Sequence, residues 1–219
     1  MEIVDASTDQ IFVTAVARRL VQELDAGRRV VWLIAADDNL SSIVTVMNLL
    51  HTTDLSNLVI MQANELAGEG PKVASYWLNL QHIGFNPAPA IAVPVLRAGV
   101  DPRNDRAIAD SYRHLLQGYI ETADMTIGMF TLSDSGSIAG LAPDTPSVDP
   151  DAREFVSYEK DGVNYFTVSA NFIRKLRGVY VHAIGPNKVP QLERLKEDHD
   201  VNENPAQILK RCPEVYIYS

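Results

Sequence analysis

The sequence predicts an α/β protein built on a largely parallel sheet covered by helices, with one antiparallel hairpin added late. Two observations carry this. Buried-strand and amphipathic-helix patterns alternate through most of the 219 residues, as a parallel sheet with crossover helices requires. Late in the chain, two β-rich runs flank Asp161-Gly162, a turn pair that favours a two-residue hairpin.

The elements follow in order. Ile11/Phe12, Val16, Leu20 and Leu24 recur at helical spacing, with Thr8 or Asp9 placed to cap the start and Gly27 to end the helix. Arg29–Ile34 is apolar and β-branched after its first residue and reads as a buried strand. Ile43, Val46/Met47 and Leu50 mark a second helix, and Leu58–Met61 a second strand. Val73–Ile83 reads as a helix closed by Gly84, and Ala90–Val93 as a short strand before Pro94. Asn104–Tyr119 carries Ile108, Tyr112, Leu115/Leu116 and Tyr119 on one helical face, and Met125–Phe130 is a strand. Phe155–Tyr158 and Tyr165–Ser169 form the hairpin. A short helix at Asn171–Leu176, a strand at Val179–Ile184, a helix at Lys188–Glu197, a short helix at Pro205–Lys210 and a last strand at Val215–Tyr218 complete the pattern. Thr145–Asp151, with two prolines, reads as a mobile surface loop. Trp32 and Trp77 fall inside a strand and a helix and read as core residues.

Composition narrows the function. The chain is 46% hydrophobic and 21% charged, ordinary for a globular protein with a core. Its net charge of −9 and lack of a dense Lys/Arg cluster argue against nucleic acid as a partner. One cysteine, Cys212, excludes an intrachain disulfide, and Met1–Gln10 lacks the basic-then-apolar order of a signal peptide. No apolar run reaches the roughly 18 residues of a membrane span. We therefore expect a cytoplasmic protein without a membrane partner. The five histidines, His51, His82, His114, His182 and His199, show no metal-ligand spacing. No metal and no cofactor are expected, although Asp37, Asp38, Glu65 and Asp134 fall at strand ends, where clustered carboxylates could hold a hard cation or simply cap and solvate.

Ile127–Pro146, IGMFTLSDSGSIAGLAPDTP, resembles the G-x-G-x-D-G-H-[IT]-A-[GS] loop of the 6-phosphogluconolactonase and glucosamine-6-phosphate deaminase family. Gly136, Ile138-Ala139-Gly140 and Pro143 keep its frame. Asp54–Val59, Ile184–Lys188 and Pro205–Leu209 resemble further landmarks, so the similarity spans nearly the whole chain. It implies a single domain over 1–219, a three-layer α/β/α fold with a mostly parallel Rossmann-like sheet, and a site for a sugar or sugar phosphate.

The catalytic motifs depart from the family. Its histidine position is Ser137 and its aspartate position is Ser135. Its phosphate turn, S-G-G-S-[TN], reads Ala35-Ala36-Asp37-Asp38-Asn39, and its D-E-R reads Asn64-Glu65-Leu66. A carboxylate where a phosphate should lie repels it, and bare backbone is replaced by side chains. Carried over by position, the candidate catalytic residues are Ser137 and Glu65, and the candidate ligand-binding residues are Asp38, Asn39, Ser75, Gly136, Arg177 and Lys188. The expected function is a divergent relative without lactonase activity, binding a ligand or an unidentified protein. The alternative is an active sugar-phosphate hydrolase of the pentose phosphate pathway type, with a residue such as Glu65 acting as base.

Overall fold

A computed structural model describes residues 1–37, 39–68, 75–97, 101 and 103–219. Ten strands and six α-helices run in the order β1 (Glu2–Val4), α1 (Asp9–Asp25), β2 (Val30–Ile34), α2 (Leu40–Leu49), β3 (Leu58–Gln62), β4 (Asn64–Gly68), α3 (Tyr76–His82), β5 (Ile91–Val93), α4 (Asp105–Thr122), β6 (Met125–Thr131), β7 (Phe155–Lys160), β8 (Val163–Val168), α5 (Ala170–Ile173), β9 (Gly178–His182), α6 (Val189–Lys196) and β10 (Val215–Tyr218). Seven strands form a sheet in the order β1-β10-β9-β6-β2-β3-β5, with every neighbouring pair parallel. The other three form a small antiparallel sheet, β4-β8-β7.

The interior strands β2, β6 and β9 are buried throughout, which is why they lack a polar face and read as continuous apolar runs. Alternation sorts their side chains into two cores. Val30, Trp32 and Ile34 pack with α1, α2 and α3, while Val31 and Leu33 pack with α4, α6 and the small sheet. This is the three-layer arrangement. Trp32 is fully buried, in agreement with a core role. Both edges, β1 and β5, are three residues long, which limits the open ladder available for edge-to-edge pairing.

The chain passes from one sheet to the other through a single residue. Ala63 donates its N–H to Ile34 O in the parallel sheet and accepts from Val168 N in the small sheet. The sequence pattern did not resolve two strands, β1 and β4: one is an exposed edge, and the other follows β3 after a single residue and opens on the polar pair Asn64-Glu65.

Other boundaries also differ from the sequence reading. The third helix starts at Tyr76, because Ser75 Oγ caps it by accepting from Leu78 N; residues 73 and 74 of the expected helix lie outside the described residues. The Asn171–Leu176 helix is instead the short α5, capped by Ser169. Pro205–Arg211 is a 3-10 helix. The expected mobile loop at Thr145–Asp151 contains a 3-10 turn, Pro146–Val148, with Ser147 and Val148 buried; Thr145 caps it by accepting from Ser147 N. Gly27, at φ 73°, ends α1 as expected, but Thr8 makes no side-chain capping bond. Cys212 donates to Ile173 O, and burial pushes its thiol up to about 12, so it is not a reactive thiolate. No helix among the described residues is long and apolar enough to cross a membrane.

Helix α4 is fixed to the central sheet by one phenol. Tyr112 is buried, and its hydroxyl donates to Gln62 O at 2.7 Å. Tyr112→Phe is expected to lower stability by ~1–2 kcal/mol, the cost of a buried carbonyl losing its donor, measured by urea denaturation.

Candidate functional site

Strand order reverses direction between β2 and β6: the chain moves outward through β3 and β5 on one side, and through β9 and β10 on the other. A crevice opens beyond the carboxyl ends of strands at such a switch point. Here its walls are Asp37 after β2, Asn64 and Leu66 of β4, the 137–142 segment after β6, and Tyr158 and Tyr165 of the small sheet; the cavity measures about 170 Å³.

Strand periodicity arranges the wall. Leu66 pairs with Tyr165 and Tyr165 with Tyr158, so these three form one row on one face of the small sheet. The two tyrosine rings stack at 5.2 Å with 5° between their planes. Burial, with Tyr165 beside it, pushes the Tyr158 phenol up to about 12, so it is neutral at physiological pH. Asn64 and Thr167 form the next row. The Asn64 amide joins β4 to the turn after β2: its Oδ1 accepts from Ala36 N and its Nδ2 donates to Asp37 Oδ2.

Glu65 belongs to the opposite face of β4 and is 1% exposed. Among the described residues, five donors reach its carboxylate: Leu66 N and Tyr76 N at Oε1, and Gln62 Nε2, Ser75 Oγ and Trp77 N at Oε2. A carboxylate offers about four lone-pair sites, so both oxygens are fully used. Glu65 lines the crevice but acts as the acceptor that gathers the start of α3 onto β4, an occupancy that leaves no lone pair for a base.

The loop after β6 is held as tightly. Leu132 N donates to His182 O, Ser133 N to Ser137 O, and Ala206 N to Gly136 O. Ser133, Ser135 and Ser137 form a hydroxyl chain, with contacts of 2.8 and 3.2 Å. Ala139 and Gly140 both lie at positive φ. A Cβ on Gly140 would fall 2.9 Å from Asn64 Cβ and 3.0 Å from Thr167 Oγ1. The frame that marks the loop in the sequence is thus a packing requirement against β4 and β8.

The remaining candidates are placed as follows. Asp38 lies outside the described residues. Asn39 caps α2, accepting from Ser42 N. Ser75 is engaged with Glu65 and Leu78. Lys188 is paired with Asp134 at 2.7 Å, so neither stands free at the crevice. Gly136 is a turn residue at φ +83°, backed by Gln191 Oε1 and Asn204 Oδ1. Arg177 is a correction. Its guanidinium donates to Asp124 O and its N–H to Thr126 Oγ1, at the start of β6. The seven residues of β6 place it roughly 20 Å from the crevice, so it has no part in this site.

None of the histidines lines the crevice; His182 contacts Asp9 Oδ1 through Nε2 instead. No group of three or more His, Cys, Asp or Glu among the described residues is arranged to hold a metal. Sequence reasoning missed Asn64 as a connector and the tyrosine pair as a wall. The pair was within reach, since a two-residue turn at Asp161-Gly162 sets Tyr158 opposite Tyr165.

Two substitutions test these assignments. Glu65→Gln puts a donor amide against backbone N–H groups and is expected to cost at least ~2 kcal/mol, read as a lower melting temperature. Gly136→Ala places a methyl within 3.0 Å of two amide oxygens at positive φ and is expected to cost ~1–3 kcal/mol in denaturant titration.

No family model and no curated protein matches the chain. Solved structures do. A 6-phosphogluconolactonase from Shewanella baltica OS155 superimposes with a TM-score of 0.76 at 16% identity, over 100% of this chain and 98% of that one. A monomeric glucosamine-6-phosphate deaminase gives 0.78 at 15% identity, over 100% and 96%. The 6-phosphogluconolactonase from Trypanosoma brucei gives 0.74 at 16% identity, over 99% and 94%. At these identities the likeness establishes architecture: the chain has the fold shared by 6-phosphogluconolactonases and glucosamine-6-phosphate deaminase.

Proposed function

We propose that this protein is a catalytically silent relative of the 6-phosphogluconolactonases, one that holds a ligand in its crevice without hydrolysing a lactone. The observation that carries this reading is the setting of Ser137. Its hydroxyl contacts the Ser135 hydroxyl at 3.2 Å, and among the described residues the crevice lining contains no histidine, lysine or arginine. Lactone hydrolysis needs a group that takes a proton from water near neutral pH, and a serine hydroxyl does not. The one buried carboxylate nearby, Glu65, is saturated by donors.

The phosphate-binding elements support the same reading. In the resembled family, a bare turn after the first long strand offers backbone N–H groups to the phosphate. Here Ala36 N is taken by Asn64 Oδ1, and Ser42 N by the Asn39 cap. Asp37 lines the crevice, and Lys188 is neutralised by Asp134. An anionic ligand would meet the Asp37 carboxylate, an arrangement that repels by several kcal/mol at ~4 Å and an effective dielectric of ~20.

Purified protein is expected to hydrolyse 6-phosphogluconolactone no faster than the spontaneous rate, and 6-phosphogluconate is expected to leave its melting temperature unchanged. Turnover proportional to protein concentration would overturn the proposal and establish the active-hydrolase alternative. A stabilising shift with 6-phosphogluconate would restore the sugar-phosphate ligand.

A further inference from the structure

We propose that a second cavity, apart from the crevice, binds a short zwitterionic peptide, with its carboxylate on Arg174 and Arg211 and its ammonium on the aspartates that line the same space. The inference goes beyond the silent reading of the crevice and does not depend on it, because the two cavities share no lining residue.

This cavity lies between α5, the 3-10 helix Pro205–Arg211, the 144–150 segment and the loop after α6, and measures about 490 Å³. That falls within the ~300–1,000 Å³ typical of small-ligand sites. Hydrogen bonds fix its rim. Asp144 N donates to Asn202 Oδ1, and Asn202 Nδ2 donates back to Asp144 Oδ1. Asn171 Nδ2 donates to Pro150 O and Ala152 O, tying α5 to the 144–150 segment.

Two cations come from neighbouring elements. Arg174 caps the end of α5, and Arg211 closes the 3-10 helix. Cys212 Sγ donates to Ile173 O, so the residues beside the two arginines are bonded to each other. Arg19, Arg113 and Arg153 are each ion-paired. Neither Arg174 nor Arg211 has a side-chain partner among the described residues, and both line the cavity. Two guanidiniums with no donor committed match the planar oxygens of a carboxylate.

Asp144, Asp149 and Asp200 line the same cavity and form no ion pair among the described residues. Each commits Oδ1 alone: Asp144 to Asn202 Nδ2, Asp149 to Asp151 N and Asp200 to Asn202 N. The Oδ2 atoms have no donor among the described residues. Opposite charges thus face one space without touching. An anion alone would be repelled by the aspartates and a cation alone by the arginines, whereas a ligand carrying both signs satisfies both sets. Val148, Val201 and Ile208, all buried, give the cavity an apolar lining between the charges. A peptide of a few small residues supplies a carboxylate, an ammonium and a short apolar body in one molecule.

The test compares trialanine with two blocked forms, N-acetyl-trialanine, which lacks the ammonium, and trialanine amide, which lacks the carboxylate. Calorimetry on the full chain at low ionic strength should show trialanine binding about tenfold or more tightly than either blocked form, with the gap narrowing as salt is added. The amide resonances of Ala170 and Val201 should move on titration. Arg174→Gln with Arg211→Gln breaks no side-chain bond among the described residues and should bring trialanine down to the affinity of its amide. Asp149→Asn with Asp200→Asn keeps an oxygen for Asp151 N and Asn202 N and should bring it down to the affinity of the N-acetyl form. No binding of trialanine to the unmodified protein, equal affinity for all three probes, or binding that leaves the Ala170 and Val201 resonances in place overturns the inference. Those three readouts need no variant, so they decide the matter even if a substituted chain fails to fold.

Discussion

A single buried carboxylate organises the ground on which the crevice stands. Glu65 lies two residues beyond Ala63, where the chain leaves the parallel sheet, and it collects donors from β3, β4 and the start of α3. Without that acceptor, two backbone N–H groups at the start of α3 and the Gln62 side chain would be buried without it as partner, each at a cost of ~1–3 kcal/mol. The same Gln62 also accepts from Val95 N, and its carbonyl receives Tyr112. The carboxylate therefore couples the helix on one side of the sheet to the helix on the other.

The fold was largely legible because hydrophobic periodicity reports burial directly. The runs at Arg29–Ile34 and Met125–Phe130 are apolar on both faces because both faces are covered, and the stripe of α4 is apolar where it meets the sheet. Legibility failed where burial does not alternate or where side chains cap. β4 was hidden because it follows β3 after one residue and opens on the polar pair Asn64-Glu65, so it shows no apolar run of its own. The start of α3 was hidden because a serine, not a hydrophobic residue, defines it.

The site was legible in a different sense. Loss of histidine at Ser137 and of arginine at Leu66 can be read by position, and the structure places both residues at the crevice. Arg177 shows the limit of carry-over by position: a basic residue near the right segment points to the opposite end of the sheet, because it precedes β9 rather than following it. Asn64 shows another limit. Read against a motif, it is an amide where the resembled family has a carboxylate; in three dimensions it is the hydrogen-bonding bridge to the turn after β2. The frame Ile138-Ala139-Gly140 persists for yet another reason, since two positive-φ residues and the absence of a Cβ at Gly140 are demanded by contact with Asn64 and Thr167. Packing alone accounts for these residues.

The passage of the chain through Ala63 has a mechanical consequence. The residue is bonded to Ile34 on one side and Val168 on the other, so β4, which carries Asn64 and Leu66 of the crevice, continues directly from the central sheet, and β8 with Tyr165 is paired to it. Rotation of the wall about that point would break pairing in the central sheet itself. Among the described residues, the strands that line the cavity are therefore held at a set width. Selection among ligands would then act by exclusion of what exceeds the opening, and affinity would depend on fit to a shape that exists before the ligand arrives.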